Sequence, residues 1–191
     1  MVNIVLFGPP GAGKGTQSKK IIAKHHLQHI STGEILRKAI AEKTPLGIKA
    51  QSHIDEGYYI PDEMAVDIIK HELEKYPPSE GFIFDGFPRT INQANQLQQI
   101  LSEIGAKINV MISLEADEKV IVERLVQRYY QSGRPDDQRL DIIKKRIDIY
   151  NTTTKVVKDY YKKMGKCESV CGIGEIDVIF DKICTIIERY K

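Results

Sequence analysis

The sequence lacks an excess of charge of one sign. Its 191 residues include 28 lysines and arginines and 26 aspartates and glutamates, for a formal net charge of +2 at pH 7. Proteins that wrap nucleic acid or coat an anionic membrane surface usually carry a large basic excess. We therefore predict no nucleic-acid partner and no membrane partner, and expect any anion site to be local.

Cysteine is scarce, and a long apolar run at the start of the chain is missing. The three cysteines are Cys167, Cys171 and Cys184, and an odd number without a secretory leader indicates a reducing compartment. Too few Cys and His residues lie near them to complete a ligand set, so buried thiols are the preferred interpretation. The apolar residues 2–7 are too short for a signal or membrane segment, and a cytoplasmic location is expected.

Short β-branched runs alternate with longer amphipathic stretches along the whole chain. This pattern predicts the α/β class, with a doubly wound parallel sheet of about five strands flanked by helices, in a single domain over residues 1–191. The predicted strands are residues 2–7, 28–30, 81–84, 108–114 and 167–171. The predicted helices are residues 14–25, 32–42, 61–75, 91–104, 117–130, 139–163 and 175–189. Two segments, 31–60 and 129–138, have no strand of their own and are predicted to extend from the sheet.

A glycine-rich loop, GPPGAGKGTQ at residues 8–17, follows the first predicted strand and opens the first predicted helix. Glycines let successive backbone N–H groups turn toward an anion, the helix N-terminus adds positive potential, and Lys14 can reach the outer phosphates. A simple glycine turn would not need a lysine among the glycines, so we predict phosphate binding. Such loops usually place Ser or Thr directly after the lysine, but here Gly15 takes that position and the hydroxyl comes at Thr16.

Two later motifs contain groups that suit a second anion. In ISTGEILR the serine and glutamate have capping-box spacing, which leaves Thr32 and Arg37 near the same helix N-terminus. In GFIFDGFPRT an apolar strand ends at Asp85, and Arg89 follows in the next turn. An acid that ends a strand beside a phosphate loop is placed where a magnesium-associated carboxylate belongs.

Arginines are concentrated in one part of the chain. Any one of them could belong to a solvated face, but as a set they suit phosphoryl transfer, because planar guanidinium groups bind phosphate oxygens through two hydrogen bonds. The five that fall within 23 residues are Arg124, Arg128, Arg134, Arg139 and Arg146.

These motifs, in this order and spacing, resemble the adenylate kinase family over essentially the whole chain. The chain resembles the short-lid form, because YYQSG stands where the long form inserts a small lid that often carries zinc-binding cysteines; zinc is not expected. The resemblance implies a P-loop kinase fold with a helical nucleoside monophosphate-binding insertion at 31–60 and a short lid at 129–138. The implied activity is reversible Mg²⁺-dependent phosphoryl transfer from ATP to AMP, giving two ADP, in adenine nucleotide homeostasis. The implied partners are these nucleotides, and a monomer is expected.

The resemblance also implies a role for individual residues. The implied catalytic residues are Lys14, Asp85, Arg89, Arg128, Arg134 and Arg146. The implied ATP-binding residues are Gly11, Ala12, Gly13, Lys14, Gly15, Thr16, Arg124, Arg128 and Gly174. The implied AMP-binding residues are Thr32, Arg37, Tyr58, Tyr59, Ile60, Gly86, Phe87, Pro88, Arg89, Gln93, Arg134 and Arg146. Magnesium would be held mainly by nucleotide oxygens and water, so no metal ligand set is assigned. The acid pair before Arg139 is followed by one residue more than the usual spacing, so the roles of Asp136, Asp137 and Arg139 are left open.

Two alternatives are weighed against this interpretation. A UMP/CMP kinase has the same fold, but those proteins typically have Ala where this chain has Thr32 and Asn where it has Thr90. A nucleotide-binding module without chemistry would keep the glycine loop and lose the arginines. We also predict that segments 31–60 and 129–138 close over the substrates, because water must not attack the transferring phosphorus.

Overall fold

Five short parallel strands form the centre of the protein. The computed structural model describes residues 2–77, 81–132 and 134–191, so Gly133 of the predicted lid segment lies outside the described residues. The strands are β1 Ile4–Phe7, β2 Gln28–Ser31, β3 Phe82–Asp85, β4 Val110–Glu115 and β5 Cys167–Cys171. They form one sheet in the order β2-β3-β1-β4-β5, and every neighbouring pair is parallel. The predicted α/β class and the five predicted strands are confirmed.

Helices cover both faces of this sheet. The helices found in the described residues are α1 Lys14–His25, α2 Thr32–Ala41, α3 Pro45–Asp55, α4 Asp62–Leu73, α5 Ile91–Glu103, α6 Glu118–Ser132, α7 Leu140–Ile149, α8 Lys155–Lys163 and α9 Ile176–Glu188. Successive β1 side chains point to opposite faces: Ile4 and Leu6 join the core under α1 and α9, while Val5 and Phe7 join the core under α4, α5 and α8. β1, β3 and β4 are buried on both faces and read as apolar runs in the sequence, whereas β2 and β5, at the two sides of the sheet, are partly exposed and carry polar residues.

The predicted helix over residues 139–163 is wrong in one respect. A π-helical segment, Tyr150–Thr154, separates α7 from α8. Tyr150 and Thr154 are both buried, and the Tyr150 ring lies 5.8 Å from the Phe7 ring, centroid to centroid. Residues four apart share a face in an α-helix as well, so a periodicity of 3.6 residues cannot reveal one such turn.

Segment 31–60 contains two helices, of which the sequence predicted only the first. Helix α3 begins where the Thr44 side chain accepts a hydrogen bond from the Gly47 backbone N–H, with Pro45 in the first turn. A Cβ atom at Gly47 would lie 2.1 Å from the Ala39 carbonyl oxygen, so α3 packs closely on α2. In segment 129–138, α6 continues to Ser132, beyond its predicted end, and a 3₁₀ turn follows at Pro135–Asp137.

The carboxyl ends of the strands meet at one edge of the sheet. Asp85 at the end of β3 is in register with Leu6 of β1 and with Ser31 of β2. In open parallel sheets, ligands bind in the crevice outside these carboxyl ends. The glycine loop, the start of α2, the turn after β3 and the loop after β5 therefore all face the same crevice.

Two further expectations can be compared with the structure. Among the described residues, no helix combines the length and apolar character needed to cross a membrane. Cys184 is buried and Cys167 is half-buried, but Cys171 is exposed, so the expectation of buried thiols is wrong for Cys171. Its position at the last residue of β5, beside the edge of the sheet, explains the exposure.

Candidate active site

The glycine loop has the conformation that an anion nest requires. Gly11 and Gly13 have φ angles of 82° and 96°, in the left-handed region that favours glycine. The Ala12 backbone N–H donates to the Pro9 carbonyl oxygen at 3.2 Å and closes the turn, and Gly13 caps the N-terminus of α1. The loop thus presents its backbone at a helix N-terminus, where backbone amides and the helix dipole attract phosphate.

Lys14 lies inside this loop with its charge incompletely compensated. Its Nζ donates to the carbonyl oxygens of Gly8 and Pro9 at 2.8 and 2.9 Å. Burial lowers the pKa of Lys14 to about 8; Asp85 opposes the shift, and the neighbouring arginines add to it. A bound polyphosphate would supply the negative charge that this ammonium group lacks.

Asp85 suits an ion that is held mainly by phosphates and water. The residue is 9% exposed, and the Nε2 atom of His29 lies 3.9 Å from its Oδ2. Burial raises the pKa of Asp85, but the nearby His29 and Lys14 side chains outweigh burial and leave the pKa below its ordinary value. The carboxylate is therefore ionised at neutral pH, and magnesium commonly binds through one or two carboxylates plus substrate phosphates. Across the described ranges, no group of three or more His, Cys, Asp or Glu side chains could hold a metal ion by itself.

The loop after β5 is held against the glycine loop. One terminal nitrogen of Arg124 donates to the Gly172 carbonyl oxygen at 2.9 Å, and a Cβ atom at Gly172 would lie 2.9 Å from the Ala12 carbonyl oxygen. Gly174 is exposed and faces open space. Arg124 and Ala12, both predicted for ATP, therefore lie against the loop after β5. The same loop carries Gly174, a third residue predicted for ATP.

A second cavity, of about 590 Å³, opens beside the turn after β3. Ten residues predicted for AMP line it: Thr32, Arg37, Tyr58, Tyr59, Ile60, Gly86, Phe87, Arg89, Gln93 and Arg146. Pro88 lines an adjoining cavity of about 490 Å³ that also includes Lys14 and reaches the glycine loop.

Hydrogen bonds fix the polar side chains of the cavity beside the turn after β3. The Thr32 hydroxyl and the Arg89 Nε donate to the Gly86 carbonyl oxygen at 3.0 and 2.6 Å. Gln93 is buried; its Oε1 accepts from the Arg89 backbone N–H and its Nε2 donates to Asp62, both at 2.7 Å. A carboxamide has two N–H groups and two lone pairs, so one of each remains for a ligand.

Two acids whose roles the sequence left open organise the arginines. The Asp137 side chain is fully buried and accepts from Arg128 Nε and one terminal nitrogen at 2.5 and 2.9 Å, and from Arg146 at 2.5 Å. Arg146 also pairs with Asp136 at 3.1 Å. These bonds orient two guanidinium groups and limit their freedom, and one of the two, that of Arg146, lines both cavities.

The remaining arginines divide into two groups. Burial lowers the pKa of Arg37 to about 10, with repulsion from Arg134 adding to the shift and Asp136 opposing it. The pKa of Arg134 is lowered too, first by burial. Arg139 forms an exposed ion pair with Asp141 at 2.6 Å. Arg37 therefore lines the cavity beside the turn after β3, as predicted, whereas Arg134 lines neither of the two cavities and Arg139 lies outside the site.

Segment 31–60 contacts α7 across the crevice. Gly57 has a φ angle of 76°, and a Cβ atom there would lie 3.0 Å from Ile142 Cγ2. The Lys145 Nζ lies 3.3 Å from the centroid of the Tyr58 ring. The segment is therefore in a closed arrangement, while the closing motion itself stays a prediction.

Several residues of the two cavities were not predicted from the sequence. Leu36, Ile54 and Ala65 form apolar walls of the cavity beside the turn after β3, and Tyr150 and Thr154 line the adjoining one. Leu36 and Ala65 lie on predicted helices whose apolar faces could have pointed to them, whereas Ile54 lies on α3, which the sequence did not predict. Tyr150 and Thr154 belong to the π-helical segment, for which no local sequence signal exists.

Comparisons with known proteins agree with this geometry. The family model described as adenylate kinase matches residues 6–166. A Bacteroides fragilis protein named adenylate kinase is 47% identical over 188 residues, which cover 98% of this chain and 99% of the relative. Proteins of the same name from Phocaeicola vulgatus and Porphyromonas gingivalis are 44% and 39% identical, and each match covers at least 98% of both chains.

Proposed function

Since the chain belongs to the adenylate kinase family, we propose that it transfers the terminal phosphoryl group of ATP to AMP, reversibly and with Mg²⁺, giving two ADP. One observation supports this most strongly. The cavity that reaches the glycine loop and the cavity that holds the residues predicted for AMP share Arg89 and Arg146. Anions bound in the two cavities would therefore meet between the same two guanidinium groups.

The acceptor phosphate needs no general base, because its oxygens are already anionic at neutral pH. The work of the protein is then to bring two polyanions together in line, and fixed cations must replace their hydration. Positioning of this kind contributes on the order of 7–11 kcal/mol. Lys14 and Arg128 would act on the donor phosphates, Arg89 on the acceptor phosphate, and Arg134 and Arg146 on the group in transfer.

Magnesium, when bound with ATP, would neutralise developing charge on the phosphate oxygens. Asp85 would orient the water shell of the ion, since its carboxylate is ionised and lies beside Lys14. The Thr16 hydroxyl, one position later than in most phosphate loops, would contact a donor phosphate.

The adenine of AMP would contact Gln93 and the backbone of Tyr58–Ile60. The adenine of ATP would contact the backbone of Gly174, in the loop that Arg124 holds. The Thr90 hydroxyl donates to Asp62 Oδ2 at 2.8 Å, and Asp62 in turn fixes Gln93. Thr90, one of the two residues that separate this chain from UMP/CMP kinases, thus bonds the carboxylate that positions the Gln93 amide.

We propose further that residues 1–191 form one domain, in which segment 31–60 binds the acceptor and segment 129–138 acts as a short lid. We also propose that the protein is a cytoplasmic monomer that acts on ATP, AMP and ADP in adenine nucleotide homeostasis.

A coupled assay with ATP, Mg²⁺ and AMP, UMP or CMP as acceptor tests the proposal. We expect ADP formation with AMP and at least tenfold lower kcat/KM with either pyrimidine nucleotide. A preference for UMP or CMP would overturn the adenylate assignment. ATP binding without ADP formation would favour a nucleotide-binding module instead. Arg139→Gln is the matched arginine control and should behave as the wild type.

A further inference from the structure

We propose that Tyr59 is a positioning residue for the acceptor phosphate, acting through Arg89 and held in place by Thr154. The inference rests on the proposed function, because it assigns Arg89 to that phosphate. It gives the Tyr59 side chain a role of its own, separate from the backbone contact with adenine.

The first observation is the contact between the Tyr59 ring and Arg89. The Arg89 Cζ atom lies 4.4 Å from the centroid of the Tyr59 ring. An aromatic face attracts a guanidinium group, most strongly where water is excluded. Both residues line both cavities, so the contact lies where the two cavities join.

The second observation concerns the atoms of Arg89 that are already used. Its Nε donates to the Gly86 carbonyl oxygen at 2.6 Å, and its backbone N–H donates to Gln93 at 2.7 Å. The ring covers a face of the guanidinium group and consumes none of its N–H donors. The two terminal nitrogens can therefore bind a phosphate through parallel hydrogen bonds.

The third observation is the anchor of Tyr59 itself. The Thr154 hydroxyl donates to the Tyr59 hydroxyl at 3.0 Å, and Thr154 is 4% exposed. Thr154 ends the π-helical segment between α7 and α8, so it belongs to the body of the protein, while Tyr59 belongs to segment 31–60. Through these two contacts, Tyr59 links segment 31–60 both to the body of the protein and to Arg89.

Steady-state kinetics of the full chain test the ring and the hydroxyl separately. Tyr59→Leu removes both, and we expect kcat/KM for AMP to fall about 5- to 30-fold, with KM for ATP changed less than about twofold. Tyr59→Phe and Thr154→Val each remove one end of the hydroxyl bond and should lower kcat/KM for AMP about two- to fivefold. Tyr160→Phe is the matched control: its hydroxyl bonds Asn95 at 2.7 Å, away from the site, and its kinetics should not change.

Adenosine as a competitive inhibitor against AMP separates a phosphate effect from a base effect. If Tyr59 acts through Arg89, Tyr59→Leu weakens the binding of AMP and leaves the adenosine inhibition constant unchanged, because adenosine has no phosphate. Equally weakened binding of AMP and adenosine would show that Tyr59 only shapes the base pocket and would overturn the proposal.

A double-mutant cycle tests the link to Thr154. Adding Thr154→Val to Tyr59→Phe should cause no further loss, since both remove the same bond, and additive losses would refute the link. If the wild-type protein makes ADP and the Tyr59→Leu variant has the same kinetic constants for AMP, the role of Tyr59 is overturned and the proposed function stands. An inactive wild-type protein would overturn the proposed function and this role with it. If the thermal melt shows that Tyr59→Leu is unfolded, the same AMP and adenosine measurements on Tyr59→Phe and Thr154→Val test the proposal instead.

Discussion

Replacement of Asp137 by asparagine tests how the arginines are held. The buried carboxylate accepts two hydrogen bonds from Arg128 and one from Arg146. Asparagine has nearly the same shape but keeps one acceptor oxygen, so its amide group must face a guanidinium N–H. The geometry of at least one arginine is therefore lost.

The magnitude follows from these contacts. A hydrogen bond to a charged group contributes about 1.5–3 kcal/mol, and breaking a buried ion pair costs about 3–5 kcal/mol. The side chains of Arg128 and Arg146 are 32% and 17% exposed, so water recovers part of the loss. We expect a net loss of about 2–4 kcal/mol in transition-state stabilisation, which is a roughly 30- to 900-fold fall in kcat/KM.

The assay is ADP formation from ATP, AMP and Mg²⁺, with a thermal melt to confirm that the variant folds. Asp141→Asn is the matched control, because Asp141 forms an equally short ion pair with Arg139 that is exposed and lies outside the site. We expect the control to stay within about twofold of the wild type. A folded Asp137→Asn protein that loses less than threefold in kcat/KM would refute the role of this residue in orienting the arginines.

Three further predictions concern Lys14 in the glycine loop, the side chain of Gln93, and Gly57 in segment 31–60. Lys14→Met should fold, and its kcat should be about 100-fold or more below that of the wild type. In the wild type, kcat/KM for ATP should fall as the pH rises above about 8, because Lys14 is charged only below its lowered pKa. Near-normal turnover of the variant, or a flat wild-type profile to pH 9, would contradict this role. Gln93→Leu should raise KM for AMP roughly 10- to 150-fold and relax the choice of base, since it removes the bonds to Asp62 and Arg89 as well as a base contact; unchanged kinetics with AMP and UMP would remove Gln93 from the site. Gly57→Ala should raise KM for AMP roughly 5- to 30-fold because of its φ of 76° and the close Ile142. Gly105→Ala, with a φ of 69° and open space around it, should leave KM for AMP unchanged, so an equal effect of both would show backbone strain alone.

Local motifs made the glycine loop and the sheet predictable from sequence. Gly11 and Gly13 adopt positive φ angles that other residues rarely reach, so their spacing around Lys14 reports the backbone directly. Strands buried on both faces must be continuous apolar runs, and the one before Asp85 ends at that residue as predicted.

Elements stabilised mainly by their neighbours were harder to find. Helix α3 depends on the Thr44 cap and on the close approach of Gly47 to α2, and its own apolar pattern is weak. The break between α7 and α8 depends on the burial of Tyr150 and Thr154, which the sequence does not report.

The sequence by itself predicted the chemistry of the site. The glycine loop, Thr32, Arg89 and the arginine cluster are local motifs whose groups are typical of phosphate binding, and the resemblance to the adenylate kinase family implied the second nucleotide and its contact with Gln93.

Only the tertiary structure decided which groups act together. It showed that Asp137 holds Arg128 and Arg146 while Arg139 stays at the surface, and that Tyr59 bonds Thr154, a residue 95 positions away. The physical reason is that an arginine or tyrosine reaches any partner that folding brings within hydrogen-bonding distance. Local spacing does not encode such partners, because chain crossovers and helix packing bring them together.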